Sequence, residues 1–339
     1  MAFIQLSRQA FFHNLDIIAQ RTESVDKIAL VLKDNAYGHG LREIASMAKA
    51  YGIKRVVVRT THEAVQISDY FPYILVLADI PAEASEQIVY TLNALDDIEK
   101  FPLRCKIEIK VDTGMHRSGI AAEELESAFE KALKAGLKIE GVFTHFRSAD
   151  TLSSEWFWQT KIFEALKVKA TELAQKYGIE PLRFHSKNSA ALFRSSSCDE
   201  AMVRIGIAAY GCLQMDKTLL QPELKPVLSL WAEKIATKKL RASQRIGYNG
   251  THIMSAEQNT STYDIGYGDG LLRSASNNGY KTPDGSALLG RVSMDNTTFC
   301  TDVQTLCIFD DANAYAESAG TIGYEVLVRL VNSMERKVF

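Results

Sequence analysis

The first two thirds of the chain alternate short apolar runs with amphipathic stretches, and this alternation restricts the fold more than any other feature. Ser7 reads as the cap of a first helix, with Phe11, Leu15 and Ile18 on one face. Residues 28–32 form a continuous apolar run suited to a strand buried on both sides. Helix is then expected over 41–50, strand over 56–58, helix over 62–67 and strand over 73–77. A short helix from residue 82 onward and a weak strand over 88–92 follow. Residues 106–111 alternate polar and apolar and read as strand. Residues 122–135 read as helix, with Leu125, Phe129 and Leu133 on one face and Gly136 as its stop. Strand over 141–144, a long helix over 154–177 closed by Gly178, and strands over 182–185 and 202–205 complete the series. About eight strands separated by helices within about 210 residues is the element count of a (β/α)8 barrel. A doubly wound open sheet accommodates the same alternation, and the weak fourth strand leaves both arrangements open.

Beyond about residue 224 the texture changes. Strand-like pieces over 228–235, 262–265 and 287–292 are punctuated by Asn249-Gly250, Asn278-Gly279 and Asp284-Gly285, which are turn signals. The expected organisation is an α/β protein: an N-terminal (β/α)8 TIM-type barrel over residues 1–224 and a mainly β domain over 225–339. A chain of 339 residues has room for both.

Composition narrows the function classes. Lys and Arg number 39 against 41 Asp and Glu, a formal charge of −2, which argues against a nucleic-acid partner. No apolar run approaches the ~18 residues of a membrane span, and the start carries no charged leader before an apolar stretch. The five cysteines, at 105, 198, 212, 300 and 307, are scattered without a CxxC pair. They suggest neither a disulfide framework nor a metal site, and are read as thiols in a reducing cytoplasm.

In a parallel barrel the reacting groups stand where strands end. The first buried run ends in Lys33-Asp34-Asn35-Ala36-Tyr37-Gly38-His39-Gly40. Others end in Lys110-Val111-Asp112-Thr113-Gly114-Met115-His116-Arg117, Thr144-His145-Phe146, His185-Ser186-Lys187-Asn188-Ser189 and Arg204-Ile205-Gly206-Ile207. Singly, each has an ordinary structural reading: a surface lysine, a satisfied histidine, a helix cap, an ion-pair partner. Together they supply an amine, a flat imidazole, two guanidinium groups and small phosphate-type donors, a set suited to a flat phosphorylated aldehyde.

These segments, followed by Gly266-Tyr267-Gly268-Asp269-Gly270, Gly290-Arg291-Val292-Ser293-Met294-Asp295 and Thr321-Ile322-Gly323-Tyr324-Glu325-Val326, stand in the order seen in alanine racemases. The chain resembles that family, the barrel-type pyridoxal-phosphate enzymes, essentially end to end. The resemblance implies pyridoxal 5'-phosphate as cofactor, bound through Lys33. It implies a phosphate-binding set of Tyr37, Ser189, Gly206, Ile207 and Tyr324. His145 corresponds to the imidazole beside the cofactor ring and Arg204 to the arginine facing the ring nitrogen. Arg117 corresponds to the arginine near the substrate carboxylate, and Lys110 to a lysine open to carbamylation. Tyr267 corresponds to the second catalytic base beside Lys33, and Met294 lines the substrate entrance. Both are supplied by the partner subunit of a homodimer with shared sites. Alanine is the implied substrate, and D-alanine for peptidoglycan the implied product.

One base per face of Cα is the simplest route to stereoinversion. A guanidinium at the ring nitrogen cannot take its proton, an arrangement expected to suppress transamination. Three positions depart from the family pattern: Asp34 where Ala is frequent, Lys187 in a usual Ala position, and Ser293 where Cys is common. Other readings are a serine or broad-range racemase, a non-catalytic cofactor-binding barrel and a barrel decarboxylase. The additional β domain with Tyr267 and Met294 speaks against the second. The third usually has a longer chain and a partner-derived cysteine.

Overall fold

A computed structural model describes residues 1–179 and 181–339. Ten strands carry most of the architecture: β1 Phe3–Leu6, β2 Ile28–Val31, β3 Arg55–Val58, β4 Tyr73–Val76, β5 Ile88–Leu92, β6 Lys106–Lys110, β7 Lys138–Phe143, β8 Arg183–His185, β9 Val203–Ile205 and β10 Leu228–Leu240. Among the described residues, β2 to β9 form one eight-stranded sheet in the order β8-β7-β6-β5-β4-β3-β2-β9. Every neighbouring pair is parallel. Two backbone hydrogen bonds bring the ends together: Ala201 N–H donates to the Phe184 carbonyl at 3.3 Å and Arg204 N–H to the Lys187 carbonyl at 2.9 Å. The sheet is therefore a near-closed barrel, and the open doubly wound alternative falls away.

The strands form because their β-branched and aliphatic runs are covered on both sides. β2, for example, is buried along its whole length. Helices Leu41–Tyr51, Thr61–Gln66, Leu125–Lys134, Glu155–Tyr177 and Ser189–Arg194 follow strands of the barrel. The first helix, Arg8–Thr22, starts where expected: the Ser7 hydroxyl accepts from Ala10 N–H at 3.2 Å. The helix expected from residue 82 is absent. Residues 82–87 are irregular, and the Ser85 hydroxyl accepts from the N–H groups of Gln87 and Ile88, a local alternative to a helical ladder. Beyond Ala82 and Ala84 the stretch has no apolar face to bury, so β4 and β5 are joined without a covering helix.

The C-terminal region is mainly β, as its turn signals imply. Antiparallel β10 is its spine, pairing with β1, with strand Gln258–Tyr263 and with strand Thr305–Phe309. β1 also pairs in parallel with the last strand, Glu335–Val338. The first four-residue strand of the chain thus belongs to the C-terminal sheet, so the expected division at 224/225 misses a covalent tie between the two regions. Two short helices, Ala312–Ala319 and Gly323–Val328, cap this region.

Candidate active site

The C-terminal ends of the barrel strands enclose a cavity of about 790 Å³. Ten sequence-predicted residues line it: Lys33, Tyr37, Lys110, Arg117, His145, Ser189, Arg204, Gly206, Ile207 and Tyr324. Tyr267 and Met294 do not. They stand together elsewhere, their loops joined by hydrogen bonds from Tyr267 N–H to the Ser293 carbonyl (3.0 Å) and from Gly268 N–H to the Met294 carbonyl (2.8 Å). Both side chains are open to solvent, at 44% and 56% exposure.

Lys33 follows β2 at the start of an unusual turn. Asp34, Asn35, Ala36 and Tyr37 all have φ between 52° and 55°. Left-handed backbone costs roughly 1–2 kcal/mol per non-glycine residue, so four in succession persist only under outside restraint. Asp34 N–H donates to Glu63 Oε1 at 2.6 Å, and the Asn35 side-chain oxygen accepts from Leu41 N–H at 2.8 Å. The turn places Lys33 and Tyr37 on the wall of the same cavity, four residues apart. The departure at Asp34 has local partners: its carboxylate lies 3.3 Å from Arg59 Nη1 and 3.9 Å from Lys33 Nζ.

The small-donor end of the cavity is close-packed. The Ser189 hydroxyl accepts from the N–H groups of Gly206 (3.2 Å) and Ala208 (3.3 Å). A Cβ on Gly206 would collide with the Tyr37 hydroxyl, so only glycine lets backbone and phenol approach this closely. Burial raises the Tyr37 phenol well above its ordinary range, helped by Tyr324, and burial raises Tyr324 as well. Both remain neutral O–H donors, as an anion-binding pocket requires.

The opposite wall is cationic. Burial lowers Lys110 to about 8, aided by the charges of Arg117 and Arg204, and its Nζ donates to the Ser118 hydroxyl at 2.6 Å. Burial also lowers His145 to about 3, with Arg204, Lys110, Arg117 and Lys33 all adding to the effect. His145 is therefore a neutral flat ring at physiological pH. Arg117 is exposed on a loop shaped by Asp112, whose carboxylate accepts from the N–H groups of Gly114, Met115 and His116 at 2.8, 2.8 and 3.1 Å.

Arg204 is buried. It donates to the carbonyls of Thr144 (2.6 Å), Ser186 (3.1 Å) and His185 (3.2 Å), and to His185 Nδ1. Sequence reasoning missed what stands behind it: His185 Nε2 lies 2.5 Å from the Glu108 carboxylate. The available signal was periodicity. Lys106, Glu108 and Lys110 recur every second residue on β6, as Arg183 and His185 do on β8, and a barrel strand sends alternate residues inward. The departures at 187 and 293 are locally satisfied. Lys187 Nζ lies 3.8 Å from Glu200, and the Ser293 hydroxyl donates to the Asn296 carbonyl at 2.7 Å.

Family models described as the alanine racemase N-terminal and C-terminal domains match residues 6–214 and 227–338. The chain belongs to the alanine racemase family. The alanine racemase of a Nitratiruptor species is 45% identical over 336 residues, covering 99% of each chain. That of Campylobacter concisus is 42% identical over 338 residues, again covering 99% of each. Among solved structures, alanine racemase from Bacillus anthracis with bound L-Ala-P is 28% identical, with a TM-score of 0.87, covering 100% of this chain and 95% of that one. Alanine racemase from E. faecalis is 27% identical, with a TM-score of 0.85, covering 100% and 98%. Like other members of the family, the chain is an amino-acid racemase. Among the described residues no helix is long and apolar enough to cross a membrane, and no group of His, Cys, Asp and Glu is arranged to hold a metal.

Proposed function

We propose that this racemase interconverts L-alanine and D-alanine with pyridoxal 5'-phosphate as cofactor, as a homodimer in which each active site takes residues from both subunits. The observation that carries this reading is the convergence of Lys33, a neutral His145, a buried Arg204 and the neutral phenols of Tyr37 and Tyr324 on one barrel-rim cavity.

The donor set fits the cofactor. Lys33 supplies an amine for its aldehyde. Ser189, Gly206, Ile207, Tyr37 and Tyr324 supply small side chains, N–H groups and hydroxyls for its phosphate, and Gly206 keeps that cradle unfilled. When bound, pyridoxal phosphate supplies an electron sink that acidifies the Cα–H of a joined amino acid. The remaining work belongs to the chain. His145 offers a flat uncharged face beside the ring. Arg204 presents N–H groups and no acceptor, so the ring nitrogen gains no proton from a carboxylate, and stray transamination is held down. Arg117 binds the substrate carboxylate.

Lys33 holds or removes the Cα proton on one face, acting on D-alanine. Tyr267 does so on the other face, acting on L-alanine, and comes from the partner subunit with Met294 beside it at the entrance. The exposure of both side chains and their place outside their own chain's cavity support that division. Lys110 is buried among cations with its proton weakened, the condition for a neutral amine to take up carbon dioxide; as a carbamate it becomes an anion that orients Arg117. L-Ala-P, bound in the B. anthracis structure, is consistent with an alanine-sized substrate. In this reading the protein works in the cytoplasm and supplies D-alanine for peptidoglycan.

The test is an assay of purified protein with L-alanine, read by enzymatic detection of D-alanine and compared with L-serine through kcat/KM. Borohydride should abolish the visible absorbance and leave the cofactor on the Lys33 peptide. A label on another lysine, or a kcat/KM favouring serine, contradicts the assignment.

A further inference from the structure

A line of charge runs through the interior of the barrel to Arg204. Its centre is Glu108, fully buried on β6. Glu108 Oε1 accepts from the Tyr73 hydroxyl at 2.9 Å and from Arg183 Nε at 2.9 Å, and Arg183 Nη2 continues to Glu140 at 2.7 Å. Glu108 Oε2 faces His185 Nε2 at 2.5 Å. On the other side of that imidazole, Arg204 Nη1 donates to Nδ1. Room for the carboxylate comes from Gly141 on β7, where a Cβ would stand 3.0 Å from Glu108 Oε1.

The chemistry of the donors fixes the protons. A guanidinium has N–H groups and no acceptor, so Nδ1 of His185 is the acceptor in its contact with Arg204. A carboxylate has only acceptors, so Nε2 carries the hydrogen. Burial opposes the charge of Glu108, but its contacts with His185, Arg183 and Tyr73 outweigh it and hold the carboxyl below its ordinary range, an anion throughout the physiological range. Burial lowers His185, in the direction of a singly protonated ring, although Glu108 works against this.

We infer that Glu108 is a positioning residue for Arg204. By holding the single His185 proton on Nε2, it keeps Nδ1 an acceptor and so fixes how the guanidinium faces the cavity. Without the anion, nothing holds the hydrogen on Nε2, and an imidazole that turns its hydrogen to Nδ1 sets an N–H against the guanidinium. The three backbone carbonyls around Arg204 restrain its other donors, and the ring of Phe143 lies 5.0 Å from the guanidinium carbon. The imidazole is thus the neighbour whose polarity can invert. This inference rests on the reading that Arg204 faces the cofactor ring, while its proton assignment stands independently of activity.

Neutron diffraction from deuterated holoenzyme crystals tests the proton directly. Density on His185 Nε2 with none on Nδ1 is expected; a hydrogen on Nδ1 overturns the inference whatever the enzyme does. The functional arm uses Glu108→Gln, with Glu108→Asp as the charge-retaining variant. Glu108→Gln should lower kcat about 10- to 100-fold, by analogy with carboxylates that orient metal-bound imidazoles. The KM for alanine should change less than about threefold, the visible band of the bound cofactor should shift, and Glu108→Asp should recover part of kcat. A folded Glu108→Gln holoenzyme with wild-type kcat and an unshifted band contradicts it. If that variant does not fold, the neutron result on the wild-type protein decides alone.

Discussion

In the proposed reading, the barrel rim and the C-terminal surface around Tyr267 carry two halves of one reaction, and they are built on opposite principles. At the rim, three of the proposed groups are held by something behind them: Arg204 by His185 and three carbonyls, Ser189 by two N–H groups, Lys33 by a left-handed turn tied to Glu63. Around Tyr267 the backbone is equally well tied, through Ser293 and Met294, but the side chains stand in solvent. The difference teaches that a single chain presents a pre-formed cavity and, apart from it, an exposed phenol, which in that reading serve as cofactor pocket and second base. On this proposal, electrostatic preorganisation is local to one subunit and completion of the site is a property of the assembly.

Four substitutions sharpen that contrast. In that reading, Lys33→Ala removes the cofactor anchor and one base together. Racemisation in both directions should fall at least about 10,000-fold, measured by D-alanine and L-alanine release. Activity within about tenfold of wild type would leave the rim without its central residue. Tyr267→Phe removes only the proposed exposed base, so kcat should fall about 100- to 1,000-fold while the bound cofactor's visible spectrum is retained. Loss of cofactor in that variant would place Tyr267 in the wrong half.

Glu108→Gln takes a charge from the buried network and should destabilise the protein by about 3 kcal/mol at neutral pH in denaturant unfolding. Glu108 is held near 2 in the folded state, below its ordinary value of 4.5. Its stabilisation is therefore complete above pH 4.5 and is lost as pH falls from 4.5 through about 2. The gap between wild type and variant should close over that window; a constant gap would mean that the carboxylate contributes by shape rather than by charge. The smallest effect is expected at Gly206→Ala, where the new methyl crowds the Tyr37 hydroxyl. Cofactor retention on dialysis should weaken about tenfold, or roughly 1.4 kcal/mol, with little change in kcat at saturating cofactor.

Much of this contrast was legible in the chain. The eight-strand alternation followed from apolar runs separated by helical periods, with the barrel favoured and the open sheet left as the alternative, and Lys33, His145, Ser189 and Arg204 stood out as polar groups in or shortly after the last residues of apolar strands. What escaped depended on partners distant in sequence. Phe3–Leu6 is a strand only because β10 and the strand Glu335–Val338 lie on either side of it. Four residues ahead of a well-capped helix carry no signal of their own. Residues 82–87 failed as a helix because two alanines provide no face to bury. Glu108 looked like one polar step in an alternating strand; its meaning appears only when β4, β6, β8 and β9 close into a ring and bring Tyr73, Arg183, His185 and Arg204 around it.

The central claim, that one site joins Lys33 of one subunit to Tyr267 of another, is most directly tested by subunit mixing. Lys33→Ala and Tyr267→Phe homodimers, each almost inactive, are dissociated, combined in equal amounts and reassembled. If the two residues act across the subunit boundary, half of the dimers are mixed and each carries one intact site. Activity should then return to about one quarter of wild type. If both residues serve the site of their own chain, no mixed dimer contains an intact site, and activity remaining at the level of the separate variants would contradict the account.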